Sequence, residues 1–356
     1  MAFKSNHQLT INNDKMNDLR HITSDELATF LVENGEKKFR LGQIEDWLWK
    51  KGAQNFDEMR NISTDLKKKL QGNFTFFNTQ IETMVQSQDR TAKFIFLLHD
   101  GQRIEGVLIP TETRVTACIS SQVGCALRCS FCATGTMGFI RNLHFTEIFD
   151  QFILMNRKSQ ELYNQTITNI VYMGMGEPLM NYENVMRSID LLTSPKGQGL
   201  SPSRITLSTV GISMGIRRLA DDGFKPDLAL SLHCADEVKR RRLMPVTEHQ
   251  TFEMLQDSLQ YFHQKTGKRI TIEYLLLKNW NDSVNDAKRL FHFCRPIPVK
   301  INLIEYNSTD SGFERSPEEH VRQFVDFLES KNLIVNIRHS RGQDIAAACG
   351  QLVKGK

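Results

Sequence analysis

The sequence predicts an α/β protein built on a parallel sheet, and three observations carry that expectation. From about residue 112 onward, β-rich runs alternate with stretches of helical periodicity, the pattern of parallel strands joined by right-handed crossovers. A chain of 356 residues is too long for one small core and suits a barrel-sized domain with an accessory piece. Polar and glycine clusters follow the strand candidates, where parallel α/β folds bind their ligands. Six such units followed by an extra strand suit an incomplete barrel better than a doubly wound sheet.

Taken in order, residues 1–80 read as a helical accessory domain. Ser24 stands as the N-cap of a helix carrying Leu27, Phe30 and Leu31. A second helix holds Ile44, Trp47 and Leu48, and a third covers Ser63 to Leu70. Residues 81–111 read as a β-hairpin linker, with Lys93–Leu98 and Arg103–Ile109 flanking the turn Asp100-Gly101. The main domain is expected over 112–310, with a C-terminal extension over 311–356. Its strand candidates, the last of them in the extension, are Val115–Ser120, Asn169–Met173, Arg204–Thr209, Asp227–Leu232, Arg269–Leu277, Lys300–Tyr306 and Ile334–His339. Helical spacing marks Phe145–Lys158, Tyr182–Leu192, Phe252–His263, Ser283–Cys294 and Pro317–Ser330.

Composition narrows the class. Hydrophobic residues make up 40% and charged residues 24%, ordinary values for a soluble globular protein. No apolar run approaches the roughly 18 residues of a membrane span, and Met1–Gln8 lacks the apolar core of a signal peptide. Seven cysteines, an odd number in a long chain, fit reduced thiols in a cytoplasm better than a disulfide framework. The net charge of +4 is too weak to name a nucleic-acid partner by itself. Lys67-Lys68-Lys69 and Lys239-Arg240-Arg241-Arg242 are either solvated helix faces or phosphate contacts.

Chemistry concentrates in Gly-Cys-Ala-Leu-Arg-Cys-Ser-Phe-Cys, where Cys125, Cys129 and Cys132 are spaced by three residues and then two, with no fourth cysteine close behind. A cubane held wholly by protein takes four thiolates, as structural zinc takes four ligands. Three thiolates leave one iron open for chemistry. The bland alternatives are a zinc knuckle or buried cysteines acting as small hydrophobes. The spacing, with Phe131 before the last cysteine, closely resembles the radical SAM signature. That resemblance implies a partial (βα)6 barrel and one 4Fe-4S cluster, not zinc. It further implies that the open iron chelates S-adenosylmethionine and that one electron splits it into methionine and a 5′-deoxyadenosyl radical. Gly174-Met175-Gly176-Glu177-Pro178 resembles the segment with which such enzymes hold the methionine amino group. Glycine lets backbone approach a ligand, and a carboxylate pairs with an ammonium.

Further motifs narrow the family. Glu105 in Arg-Ile-Glu-Gly-Val-Leu-Ile-Pro, Cys118-Ile-Ser-Ser-Gln-Val-Gly-Cys, Gly-Met-Gly-Glu-Pro-Leu, Leu-Ser-Thr, Ser-Leu-His and Asp-Ile-Ala-Ala-Ala-Cys-Gly-Gln-Leu occur in that order. From about residue 20 to the C-terminus the chain resembles the radical SAM adenine methyltransferases of ribosomal and transfer RNA. The dual-specificity enzymes that make 2-methyladenosine in 23S rRNA and in tRNA next to the anticodon match most closely. The resemblance implies two S-adenosylmethionines per turnover. Cys349 would carry a methyl as S-methylcysteine, Glu105 would accept the C2 proton, and Cys118 would close a transient disulfide with Cys349. Gly176, Glu177, Ser208, Ser231, Leu232, His233 and Asn307 would contact S-adenosylmethionine. Asn307 is followed by Ser308 where many relatives carry proline. The partners implied are 23S rRNA, tRNA and an external electron donor, and no membrane. Three alternatives stay open: the C8-specific rRNA methyltransferase, a nucleic-acid-binding protein with a structural metal cluster, and a radical SAM enzyme acting on protein, such as a glycyl-radical activase. Cys234 and Cys294 read as structural.

Overall fold

A computed structural model describes residues 16–309 and 311–352, so the N-terminal stretch read for a leader lies outside the described residues. The chain divides into two compact units, the first ending at Asn78 and the second beginning at Thr79. In the first, the two-residue strands β1 (Asn17–Asp18) and β2 (Phe74–Thr75) pair in parallel. Between them lie α1 (Ser24–Glu33), α2 (Phe39–Glu45), which widens into a π-turn over Asp46–Lys50, and α3 (Thr64–Gln71). Leu27, Leu31, Ile44, Leu48, Leu66 and Leu70 meet in one apolar cluster, as the helical spacing requires. The cap of α1 is Thr23, not Ser24. Its hydroxyl accepts from the Glu26 amide while the Glu26 carboxylate accepts from the Thr23 amide, a reciprocal box that Ser24 cannot make.

The second unit is organised on a ten-stranded sheet. β3 (Gln80–Gln86), β4 (Ala92–Leu97) and β5 (Arg103–Pro110) run antiparallel, and β5 pairs antiparallel with β6 (Val115–Cys118). The segment read as a linker is therefore an annex of the main sheet. A small hairpin, β7 (Gln122–Gly124) and β8 (Phe139–Asn142), stands apart from it. Next to β6 come β9 (Asn169–Tyr172), β10 (Ile205–Thr209), β11 (Asp227–Ser231), β12 (Ile270–Leu276), β13 (Val299–Glu305) and β14 (Ile334–Arg338), all parallel and in chain order. β3 and β14 remain as edges, so the barrel is incomplete. All seven residues of β12 are buried, which explains its near-continuous apolar run.

The helices are α4 (Ala133–Thr136), α5 (Phe145–Tyr163), α6 (Tyr182–Thr193), α7 (Ser213–Asp221), α8 (Glu237–Leu243), α9 (Phe252–Thr266), α10 (Val284–Cys294) and α11 (Glu318–Glu329). Periodicity misses α4, α7 and α8, which are short. α8 also contains the basic run, of which Arg241 and Arg242 are exposed as a solvated face requires while Lys239 and Arg240 are engaged within the protein. Arg240 is wholly buried, donating to the carbonyls of Leu232 (3.0 Å) and Val210 (2.7 Å) and to the Thr247 hydroxyl (2.8 Å). Lys239 bonds the Trp280 carbonyl and pairs with Asp286 at 3.0 Å. Arg240 thus holds strand ends together instead of facing solvent or phosphate, and Lys239 ties α8 to α10.

Candidate active site at the carboxyl ends of the parallel strands

A cavity of about 490 Å³ opens over the strand ends. β6 delivers Cys118, and the loop beyond it brings Cys125, Cys129 and Cys132. The turn after β9 adds Gly176 and Glu177. Ser208 comes from β10, Ser231 and His233 from β11, Glu273 from β12, and Arg338 from β14. The final loop supplies Cys349. Residues far apart in the chain thus line one cavity.

The cysteine loop is tightly held. The Cys125 amide donates to the Gly138 carbonyl (2.9 Å) and the Ser130 amide to the Leu243 carbonyl (2.9 Å). Phe131 packs edge-on against His233 with ring centroids 5.0 Å apart. Burial pushes the Cys125 thiol up to about 11 and the Cys129 thiol well above its usual range. Thiols in such a place ionise only against a strong positive charge, such as that of a metal centre.

Gly176 lies at φ +99°, and a Cβ there would fall 2.5 Å from the Gln122 Cβ, so the backbone needs glycine. Glu177 is buried, its carboxylate accepting from the amides of Leu179 (3.1 Å) and Val210 (3.0 Å). Burial outweighs those hydrogen bonds and raises it to about 7. Burial, helped by the nearby Arg240 charge, holds His233 neutral by lowering it to about 3; its Nδ1 faces the Leu275 amide at 3.2 Å. The hydroxyls of Ser208 and Ser231 meet at 3.1 Å.

Three expected residues do not line the cavity. Leu232 is fully buried, its amide donating to the Glu273 carbonyl and its carbonyl accepting from Arg240. Asn307 sits beneath the last loop and donates to the Cys349 carbonyl at 3.4 Å. Its buried Oδ1 has no hydrogen-bond partner among the described residues. Glu105 is buried on β5, with its carboxylate 3.7 Å from Lys93 Nζ.

Cys118 and Cys349 act on each other electrostatically across the cavity, and Arg338 acts on both. Burial, with the Cys349 charge adding to it, pushes the Cys118 thiol up to about 12 against the pull of Arg338. The Cys349 thiol is exposed. Arg338 is fixed by Glu273 at 3.4 Å, and Glu273 in turn accepts from Asn302 at 2.8 Å. Sequence reasoning missed Arg338, Glu273 and the buried Arg240. A lone carboxylate inside the apolar run Ile-Thr-Ile-Glu-Tyr-Leu-Leu was the available signal for Glu273. Cys234 and Cys294 are buried as expected.

Known proteins share this arrangement. Residues 119–291 match the radical SAM superfamily, and residues 17–75 match the ribosomal RNA large subunit methyltransferase N-terminal domain. A radical SAM methyltransferase from Sphaerobacter thermophilus is 37% identical and superposes with a TM-score of 0.90, over 95% of this chain and 100% of that one. The fold and these matches define a radical SAM methyltransferase. The probable dual-specificity RNA methyltransferase RlmN of Flavobacterium psychrophilum is 47% identical over 336 residues, 94% of this chain and 97% of that protein. The dual-specificity RNA methyltransferase RlmN of Oleidesulfovibrio alaskensis is 44% identical over 346 residues, 95% of this chain and 96% of that protein. The chain belongs to the RlmN family of dual-specificity RNA methyltransferases.

Membership implies a 4Fe-4S cluster and S-adenosylmethionine. The residues present fit both groups. Three thiols of one loop share the cavity with a buried carboxylate and a glycine cradle, and an unsatisfied amide oxygen at Asn307 lies beneath the adjoining final loop. No described helix is long and apolar enough to cross a membrane.

Proposed function

We propose that this chain methylates C2 of adenosine in 23S rRNA, at the peptidyl transferase centre, and in tRNA next to the anticodon. The observation that carries this reading is the pair Cys118 and Cys349 on the same cavity as the three-cysteine loop. Adenine C2 lies between two ring nitrogens and is too electron-poor to attack a methyl donor, so its methylation calls for carbon-radical addition.

When bound through Cys125, Cys129 and Cys132, the cluster with S-adenosylmethionine supplies the methyl group and a hydrogen-abstracting carbon radical. Gly176, Glu177, Ser208, Ser231, His233 and Asn307 hold the methionine and adenosine parts, and Leu232 carries Ser231 and His233 into position. Cys349 keeps the methyl as a thioether: its thiolate forms the new S–C bond as S-adenosylhomocysteine leaves. A hydrogen atom lost from that S-methyl group to the carbon radical frees the sulfur-bound carbon to add to the ring. Glu105 accepts the C2 proton once the sulfur-bound carbon has joined the ring, while the surplus electron leaves to a one-electron acceptor. The Cys118 thiolate then attacks the Cys349 sulfur: an S–S bond forms, the S–C bond breaks, and the released carbon takes up a proton. The disulfide is reduced by an external reductant between turnovers. Arg338, beside both thiols, opposes the rise that burial imposes on the Cys118 thiol.

The test uses anaerobically reconstituted protein, a reductant, methyl-labelled S-adenosylmethionine, and separate rRNA-fragment and tRNA substrates, with digested nucleosides read by mass spectrometry. We expect 2-methyladenosine from both RNAs, and none from Cys349→Ala with its cluster absorbance intact. An 8-methyladenosine product, or full activity in Cys349→Ala, overturns the reading.

A further inference from the structure

Lys93 on β4 pairs in register with Val107 of β5, and Glu105 pairs with Ile95. Alternate residues of a strand share a face. Lys93 and Glu105 are therefore diagonal neighbours on the face that carries Val107 and Ile109, both of which line the cavity. Long side chains span that diagonal, and Lys93 Nζ stands 3.7 Å from Glu105 Oε1. The two side chains are 14% and 1% exposed, so the ion pair lies largely out of water. An ionised carboxylate buried to that degree needs a compensating charge.

The same ammonium reaches the other side of the reaction. It donates to the Ala346 carbonyl at 3.4 Å, three residues before Cys349. Ala346 sits at φ 50°, the left-handed region that a residue with a Cβ adopts only when its neighbours hold it there. One side chain thus touches both the strand that carries the proton acceptor and the loop that carries the methyl-bearing sulfur.

We propose that Lys93 is a positioning residue for RNA methylation: it keeps Glu105 ionised on the cavity face and, through Ala346, sets the Cys349 loop against the same adenine. The proposal rests on Glu105 being the proton acceptor. In the step concerned, the C2–H bond breaks, the proton passes to the Glu105 carboxylate, and the bonding pair stays in the ring.

The experiment compares wild type, Lys93→Met, Lys93→Gln, Lys93→Arg and Glu105→Gln as reconstituted holoenzymes on RNA carrying hydrogen or deuterium at adenosine C2. S-methylation of Cys349 is read separately by peptide mass. Lys93→Met should slow RNA methylation about 10- to 100-fold, a part of what a general base contributes, and should raise the C2 deuterium isotope effect. Lys93→Gln keeps an N–H donor on a side chain one atom shorter but carries no charge, so it should show the raised isotope effect while Cys349 is still methylated. Lys93→Arg should restore most of the rate. Methylation within threefold of wild type in Lys93→Met, or a slowed reaction with an unchanged isotope effect in both neutral variants, overturns the proposal. If Lys93→Met does not fold, Lys93→Gln alone decides it by the same criterion. An active Glu105→Gln removes the proton-acceptor reading and this proposal together, whereas an inactive Glu105→Gln beside active Lys93 variants overturns this proposal only.

Discussion

Two loops meet at the mouth of the cavity, and they are specified in opposite ways. The loop of Cys125, Cys129 and Cys132 carries its three ligands within eight residues and adds near-neighbour contacts to its remote bond from Ser130 to Leu243: the Cys132 amide donates to the Cys129 carbonyl (3.1 Å), and Gly135 packs so closely that a Cβ would fall 3.0 Å from the Cys129 backbone. The loop carrying Cys349 is held by remote segments. Asp89 accepts from the Gly342 amide (3.0 Å), Asp344 accepts from Ser87 (2.6 Å), and the Ala133 amide and Thr134 hydroxyl donate to the carbonyls of Gly350 (2.8 Å) and Leu352 (2.6 Å). A site whose ligands are local in sequence can be read from spacing alone. A site whose reactive group arrives by tertiary contact cannot.

The comparison can be broken most forcefully beneath the first loop. Arg240→Met would strip hydrogen bonds from the buried carbonyls of Leu232 and Val210 and from the Thr247 hydroxyl. Each unsatisfied buried acceptor costs on the order of 1–3 kcal/mol, so we expect a global loss of about 3 kcal/mol. Thermal or denaturant unfolding of the apoprotein measures it. A change below about 1 kcal/mol would mean that the cysteine loop does not depend on this support.

The Cys349 loop should respond the other way, with little global loss and a large functional one. Gly342 lies at φ +64°, and a Cβ there would fall 2.8 Å from the Ala347 Cβ and 2.9 Å from Thr91 Cγ2. Gly342→Ala should cost about 1–2 kcal/mol of local strain and slow Cys349 S-methylation about tenfold through misplacement. Equal loss of stability in this variant and Arg240→Met would erase the contrast. The tether also carries a pH signature. Burial opposes the charge of Asp89, yet hydrogen bonds from Thr91, Gly342 and Ser87 win and hold it below 3.8. The Ser87 hydrogen bond does the same for Asp344. Both carboxyls are lowered by folding, so their contribution is complete above pH 3.8 and is lost as pH falls through the folded values. Protease cleavage within 339–352 should be flat from pH 7 to about 4 and rise below that.

The same division governs what was legible in the sequence. The parallel strands could be read because Val115, Ile170, Ile205, Leu228 and Ile272 stand in apolar runs that burial demands. The three cysteines and Gly176-Glu177 could be read because each group lies within one turn of chain. Arg338 could not, and Glu273 only as a lone carboxylate in an apolar run with no partner in view. They lie on β14 and β12, and only the strand order brings them to one cavity with Cys118 and Cys349. The short helix α8 was hidden for another reason: its seven residues include four cations, and nothing local marks Arg240 as the one turned inward.

Arg240 also bears on the other basic run, Lys67-Lys68-Lys69 of α3, for which RNA contact is an expectation drawn from charge alone. Lys67 donates to the Asp57 carbonyl at 3.3 Å. Lys69 donates to the Asn34 carbonyl at 2.7 Å and pairs with Glu36 at 3.3 Å. Lys68 is exposed. Two of the three ammonium groups are thus already spoken for, and one is well placed for a phosphate. Each phosphate contact contributes about 0.7–0.9 to the slope of log affinity against log salt. Replacing all three lysines by alanine should therefore lower the tRNA slope by about one unit, not three, with affinity falling less than about tenfold at moderate salt. A drop near three units would mean that Lys67 and Lys69 leave their internal partners to meet RNA. An unchanged slope would remove α3 from the RNA-binding surface and leave that surface to the cations elsewhere in the unit, such as Lys37, Lys38 and Lys50.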